Sequence, residues 1–170
     1  MGHFGKFIKT KLLDAQHKLW KSALFDDVRA PGKGGNKLRT YRLFKSNPGL
    51  ESYLKHVRNR EDRKILCKIR TSSHKLSIET GRHLQIPECN RICPMCQNMQ
   101  VEDEIHFMIQ CPAYQVARAS LFDEINNDNL QLCNDEQKFI WLMSCEDEIV
   151  NKLLAKFVGS AYKVRLNLSN

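Results

Sequence analysis

No apolar stretch in this 170-residue chain is longer than Phe139-Ile140-Trp141-Leu142-Met143, so the sequence predicts no membrane-spanning helix. Met1-Gly2-His3-Phe4 leads into Lys6, Lys9 and Lys11 with no apolar block behind them, and a secretory signal is not expected. The chain therefore reads as intracellular, nuclear and/or cytoplasmic, with no membrane partner. Seven cysteines, an odd number, then argue against a disulfide framework and for thiols, metal ligands or both. Internal repeats and low-complexity tracts are missing, and strand signals are few.

Patterns of catalysis are missing too. Gly32-Lys33-Gly34-Gly35 has neither the spacing nor the Ser or Thr of a phosphate-binding loop. Leu24-Phe25-Asp26-Asp27 puts Leu24 where the two-metal polymerase turn requires an aromatic residue. His74 and His83 have no nucleophile or carboxylate at a spacing that compels pairing. The chain is not expected to be an enzyme.

What is present is charge, unevenly placed. The net charge is +8, but residues 1–92 hold 21 of the 27 Lys and Arg and 8 of the 19 acids. That half carries +13, and residues 93–170 carry −5. The first half is a candidate for polyanion binding and the second is not. A hydrophobic share of 42% and a charged share of 27% place the whole among globular chains.

Periodicity predicts helices throughout. Phe4, Ile8, Leu12, Ala15, Leu19 and Ala23 recur at helical spacing over 4–29, with Phe7, Trp20 and Leu24 beside them. Ala30-Pro31-Gly32-Lys33-Gly34-Gly35-Asn36 breaks any regular structure. Short helices are expected over 37–45 and 48–57, the latter opened by Asn47-Pro48. Asn59 caps a helix to about 71. The stretch from Ser72 to Pro87 reads as a short helix and an extended piece. Asp103 caps a short helix to about 110, and Pro112 opens one to about 126. Asn134 and Gln137 form a capping box. A last helix covers 147–165, with Ile149, Val150, Leu153, Leu154, Phe157, Val158 and Ala161 on one side. Trp141 and Phe157 are assigned to the core. The expected organisation is an N-terminal amphipathic helix over 1–30, a basic helical region over 36–87, a cysteine-rich knuckle with its following helix over 88–126, and C-terminal helices over 127–170. Residues 36–170 are expected to fold together as an all-α unit.

The most specific chemistry is Cys93-Pro94-Met95-Cys96, then His106, then Cys111: C-x2-C-x9-H-x4-C. Two thiolates two residues apart grip one ion from a tight turn, and the later pair closes a tetrahedron. Three thiolates and an imidazole leave no position for water, so one structural Zn2+ is expected. A redox pair would want a strand before the first Cys and a helix starting at it. Cys89 is the one substitute ligand; Cys133 and Cys145 lie in apolar patterns and read as core.

The second signal is a basic helix near 60–71. Arg60, Lys64 and Lys68 form one stripe, Arg63 and Arg70 flank it, and Ile65, Leu66 and Ile69 fall opposite. Cys67 is placed on that basic face. Lys37, Arg39 and Arg42 precede the helix, and residues 33–70 hold 12 bases against Glu51, Glu61 and Asp62. Tyr41, Phe44 and Tyr53 interleave with them, available for stacking on bases or for the core. RNA and/or DNA is the expected partner. The bland alternative is a solvated face on a zinc-stabilised protein-interaction module.

These residues resemble a known family. Asn36-Lys37-Leu38-Arg39-Thr40-Tyr41-Arg42-Leu43-Phe44-Lys45, Ser77-Ile78-Glu79-Thr80-Gly81-Arg82, Arg91-Ile92-Cys93-Pro94-Met95-Cys96, Val101-Glu102-Asp103-Glu104-Ile105-His106-Phe107 and Cys111-Pro112 are similar to the C-terminal zinc-binding region of reverse transcriptases from non-LTR (LINE-type) retrotransposons. The resemblance covers about 36–125. It implies zinc on Cys93, Cys96, His106 and Cys111, and nucleic-acid contact beside a polymerase. Neither a polymerase palm nor an endonuclease pattern occurs in the chain, so no such activity is carried over.

Overall fold

The computed structural model describes residues 3–25 and 38–167. Residues 26–29 of the expected first helix, the break at 30–36 and Lys37 lie outside them. The fold is all-α. Among the described residues the only β pairing is an isolated antiparallel bridge between Ile92 and Val101.

The helices are α1 (His3–Phe25), α2 (Tyr41–Phe44), α3 (Ser52–His56), α4 (Arg60–Arg70), α5 (Ser77–His83), α6 (Gln115–Ile125), α7 (Asp135–Ser144) and α8 (Glu148–Asn167). Their ends follow capping chemistry. The Asn59 side chain accepts from the amides of Glu61 and Asp62, and those two acids complement the helix N-terminus. Asn134 and Gln137 form the reciprocal capping box of α7. Asp147 accepts from the Val150 amide at the start of α8. Asn126 ends α6 in the left-handed region, at φ 47°.

Two expected helices are shorter than their patterns. α2 covers 41–44 rather than 37–45, and α3 covers 52–56 rather than 48–57. Gly49, at φ +145°, takes a backbone conformation no helix shares, so α3 starts only after it.

α8 is the spine. It packs against α3, α4, α6 and α7. Its inner stripe of Val150, Leu154, Phe157, Val158 and Ala161 is buried with Leu66 and Ile69 of α4, Leu121 of α6, and Phe139 and Leu142 of α7. Gly159 sets the distance to α4: a Cβ there would meet the Asp62 carboxylate oxygen at 2.4 Å. The side chain of Asn151 is buried and donates to the Cys145 and Asp147 carbonyls and to Ser52, tying the start of α8 to α3. Phe107 packs edge-on against Tyr114 and Tyr162 at 5.0 and 6.3 Å between ring centroids.

Some core assignments change. Ile149 is 66% exposed, because its neighbour Val150 takes the inward position on the helix. Trp141 is partly buried against the core and Phe157 is inside it. Cys145 is partly buried against the core, whereas Cys133 is half-buried in a turn where its thiol meets the Asn129 carbonyl. Cys67 leaves the basic face: it packs partly buried against the core, beside Tyr53.

Phe157 fills the space under α8, so Phe157→Ala is expected to cost about 3–5 kcal/mol of folding free energy. Chemical denaturation measures it; a loss below about 1 kcal/mol would mean that the aromatic ring is not a core element.

Candidate metal centre

The cluster is assembled from two short pieces of backbone. The first is a hairpin-like knuckle. The Cys93 amide donates to the Gln100 carbonyl at 2.8 Å and the Glu102 amide to the Arg91 carbonyl at 2.9 Å. Met99 turns the chain with φ 52°, inside the left-handed region. The Met95 amide points at the Cys93 sulfur, 3.4 Å away. The second piece is a single wide helical turn over His106–Gln110. Asp103 starts it by accepting from the His106 amide at 2.7 Å, and the Cys111 amide closes it on the His106 carbonyl, also at 2.7 Å. This wide i→i+5 turn places Cys111 next to the knuckle rather than one residue further round.

The result is one cluster. The ligand atoms of Cys93, Cys96, His106 and Cys111 all lie within 4.8 Å of one another. Cys93 Sγ and Cys111 Sγ are 3.9 Å apart, and Cys96 Sγ is 3.4 Å from His106 Nε2. This arrangement is compatible with binding one metal ion. Cys89 stands outside it, exposed.

The electrostatics fit a cation. Burial, with the nearby Glu102 carboxylate and Cys111 sulfur, pushes the Cys93 thiol up to about 12. Burial also raises Cys111 and lowers His106, which favours the neutral imidazole a metal needs. A divalent ion reverses the balance for the thiols, since coordination deprotonates them. Three buried polar atoms beside the cluster lack a hydrogen-bond partner: His106 Nδ1, Tyr114 OH and Arg118 Nη1. Tyr114 feels the Cys111 and Cys93 sulfurs, and Arg118 feels Cys111.

Three buried carboxylates stand nearby in the fold, and one of them, Glu102, lies 3.9 Å from the Cys93 sulfur. Glu102 is fully buried; Arg165 donates to it through Nε and Nη2 at 2.5 and 3.0 Å, and Ser77 through its amide and hydroxyl at 2.7 and 2.8 Å. Glu104, also fully buried, accepts from Ser72 at 2.7 Å, from His74 at 2.9 Å and from Arg39 at 2.5 Å. Glu79 is held by Arg39 and Arg82. His74 thus has a carboxylate partner 30 residues away, which no local spacing announces.

The basic residues divide sharply. Arg39 bridges Glu79 and Glu104. Arg70 is buried, donates to Glu51 and the Met143 carbonyl at 2.6 Å each, and lies over the rings of Phe44 and Tyr53. These two are structural in this fold. Arg63 is half-buried and donates to the Val57 carbonyl; Arg42 is half-buried. Tyr53 is buried, and Tyr41 donates its hydroxyl to Glu51. Arg60 and Lys64 are exposed and Lys68 half-exposed, on the side of α4 away from Leu66 and Ile69. Lys64 has a loose exposed pair with Glu61 at 3.9 Å, of little energetic weight. Sequence reasoning missed a second stripe. Lys152, Lys156 and Lys163 are exposed along α8, inside the half whose net charge is negative. Their spacing of four and seven was the available signal.

Family models, characterised proteins and solved structures give no match to this chain. No helix among the described residues is long and apolar enough to cross a membrane.

The Glu104 network carries a pH dependence. Burial alone would raise this carboxyl, but the His74 hydrogen bond, the Arg39 charge and the Ser72 hydrogen bond override it and hold it at about 2, below the ordinary 4.5. A depressed carboxylate stabilises the fold fully above its unfolded pKa and loses that contribution as pH falls towards its folded one. Folding stability is therefore expected to fall between about pH 4.5 and pH 2, and Glu104→Gln at matched metal content to lack that part of the slope. Urea midpoints measured across the interval check this; equal slopes in parent and variant would remove Glu104 as the cause.

Proposed function

We propose that the chain is a zinc-stabilised nucleic-acid-binding module without polymerase or nuclease activity of its own. The carrying observation is the pairing of a closed four-ligand cluster with an outward basic stripe on the helix that packs against the same core.

The donor set supports zinc. Zn–S bonds of about 2.3 Å and Zn–N bonds of about 2.0–2.1 Å, set tetrahedrally, require S–S and S–N separations of about 3.8 and about 3.6 Å. Cys93–Cys111 and Cys96–His106 stand at 3.9 and 3.4 Å, two of the six separations, all of which are within 4.8 Å. Soft thiolates select zinc over magnesium or calcium. With four protein ligands the ion has no open position, so its role is structural: it fixes the knuckle against the turn that carries His106 and Cys111. The similarity of these residues to the C-terminal zinc-binding region of LINE-type reverse transcriptases supports the same reading and suggests the class of partner.

The polyanion surface is assigned to Arg60, Lys64 and Lys68. Arg39, Arg63 and Arg70 are left out because their guanidinium groups are bound within the protein. Burying Leu66 and Ile69 necessarily turns the opposite side of α4 outward. Affinity from such a stripe comes mainly from released counterions.

Metal analysis of protein purified without chelator is expected to give one zinc per chain. Cys96→Ala or His106→Ala should lose it, and Cys89→Ala should keep it. Absence of zinc from the parent sinks the metal assignment, and loss in the Cys89 variant means a different quartet.

Filter binding tests the surface, with single-stranded RNA, duplex DNA and heteroduplex as probes. Changing Arg60, Lys64 and Lys68 together to Gln should make the slope of log K against log salt shallower by up to about 2.7 on duplex DNA, at about 0.9 per phosphate contact. Folding and zinc content should stay intact. Parent-like binding by the variant at every salt concentration removes α4 from the interface.

A further inference from the structure

α1 has two different sides. His17 and Trp20 are partly covered and Leu24 is only 3% exposed. These three stand at i, i+3 and i+7, so the helix has a covered side over 17–24, while Leu13, one turn earlier on that side, is 54% exposed. The opposite side is open. Ile8, Leu12 and Leu19 are 43%, 60% and 71% exposed, and Ala15 and Ala23 between and beyond them are exposed as well.

The open side has a definite phase. Ile8, Leu12, Ala15 and Leu19 are separated by alternating steps of four, three and four, the repeat of a coiled-coil seam. At 100° per residue these four positions fall within an arc of about 60°, the narrow stripe that distinguishes such a seam from a broad core-facing side. Its borders are polar: Lys11 and Lys18 on one edge, Lys9 and Gln16 on the other. Over its whole length α1 has Lys6, Lys9, Lys11, Lys18 and Lys21 against the single acid Asp14.

We infer that this side of α1 is a docking seam for an amphipathic helix of another protein, one whose own apolar seam is flanked by Asp or Glu. Charge decides among the occupants. An antiparallel second copy would set Lys11 against Lys18 across the seam. A parallel second copy would offer these lysines no acid and would lay two strongly basic helices side by side. Acidic flanks opposite Lys9, Lys11 and Lys18 meet them with the complementary sign, as residues beside a coiled-coil seam do when they choose a partner. A lipid surface fits less well. A helix lying in a membrane interface gathers its bulky groups on one broad side. Here Phe7 and Phe25 project away from the seam, and Phe7 lies under Lys11 at 5.6 Å. The inference uses neither the metal cluster nor the α4 stripe.

The test uses the full zinc-loaded chain and two synthetic helical peptides that share a Leu and Ile seam. One peptide has Glu at every flanking position and the other has Lys. By fluorescence anisotropy the chain is expected to bind the Glu peptide at least about tenfold more tightly than the Lys peptide. Leu12→Gln with Leu19→Gln should abolish that binding without loss of helix content or zinc, since both side chains are already in solvent. Four results overturn the proposal. They are equal binding of the two peptides, no binding of either, and Glu-peptide binding that survives the double variant, which would place the contact on another basic surface. The fourth is leucine-dependent binding to phosphatidylserine–phosphatidylcholine vesicles, or leucine-dependent self-association by sedimentation, in place of peptide binding.

Discussion

Three carboxylates with almost no access to water dictate how this protein is put together. Glu79, Glu102 and Glu104 are each 1% exposed or less. An ionised carboxylate in that position is tolerable only when it is paired and its remaining lone pairs are hydrogen-bonded. The partners come from far along the chain. Arg165 near the end of α8 meets Glu102, and Arg39 ahead of α2 meets both Glu79 and Glu104. Ser72, which precedes α5, and Ser77, at its start, supply two more donors. Removing Arg165 takes away the cation that faces Glu102, and removing Arg39 takes away the one that bridges Glu79 and Glu104. The network therefore specifies a single arrangement of α5, α8 and the segment at 38–40. The Cys93, Cys96, His106 and Cys111 cluster is tied to that arrangement, since Glu102 and Glu104 flank Asp103, and Asp103 starts the turn that carries His106.

Ser72, His74 and Glu104 are a serine, a histidine and a carboxylate in contact. Yet Ser72 donates to Glu104 rather than to His74, and His74 Nδ1 accepts from the Leu76 amide. The ring is thereby fixed with Nε2 as the donor to Glu104, and no imidazole nitrogen accepts from the serine hydroxyl. Ser72 sits at φ 48°, a left-handed conformation that costs a non-glycine residue energy. Its hydrogen bond to a fully buried carboxylate is the compensation. The chemistry of these three residues is directed at each other.

Local signals were legible in the sequence, and distant ones were not. Asn59, Asp103 and the Asn134–Gln137 box cap their segments because capping acts within three residues. The cysteine and histidine spacing was legible for the same reason: two tight turns each supply two ligands. The internal partners of the arginines were not legible where the deciding group was remote. Arg39 and Arg70 read as part of a basic run, but their partners include Glu104, 65 residues on, and the Met143 carbonyl, 73 residues on. Nothing near either arginine distinguishes it from Arg60. Cys67 and Ile149 erred by geometry: a turn of 100° separates neighbours on a helix, and each belongs to the side its neighbour does not.

Taking the internal arginines out of the count changes what the net charge means. Arg39, Arg70, Arg82 and Arg165 neutralise carboxylates within the protein. Among the described residues, much of the positive charge presented to solvent stands on helices: Arg60 and Lys64 of α4, the lysines of α1, and Lys156 and Lys163 of α8. Buried pairs need arginine, whose planar fork holds a carboxylate at two points, whereas a solvated surface is served by lysine. The division between the two residue types follows this rule on α1 and α8. Every cation on α1 is lysine, and α8 turns its single arginine inward and its lysines outward. Charge on rigid helices keeps a fixed spacing, so a partner meets a row of cations at set intervals rather than a diffuse field. A polyanion with regular phosphates suits the stripe of α4, where little apolar surface accompanies the charge. Among the described helices α1 combines such a row with an exposed apolar seam of Ile8, Leu12 and Leu19, the combination on which the proposed helical partner rests.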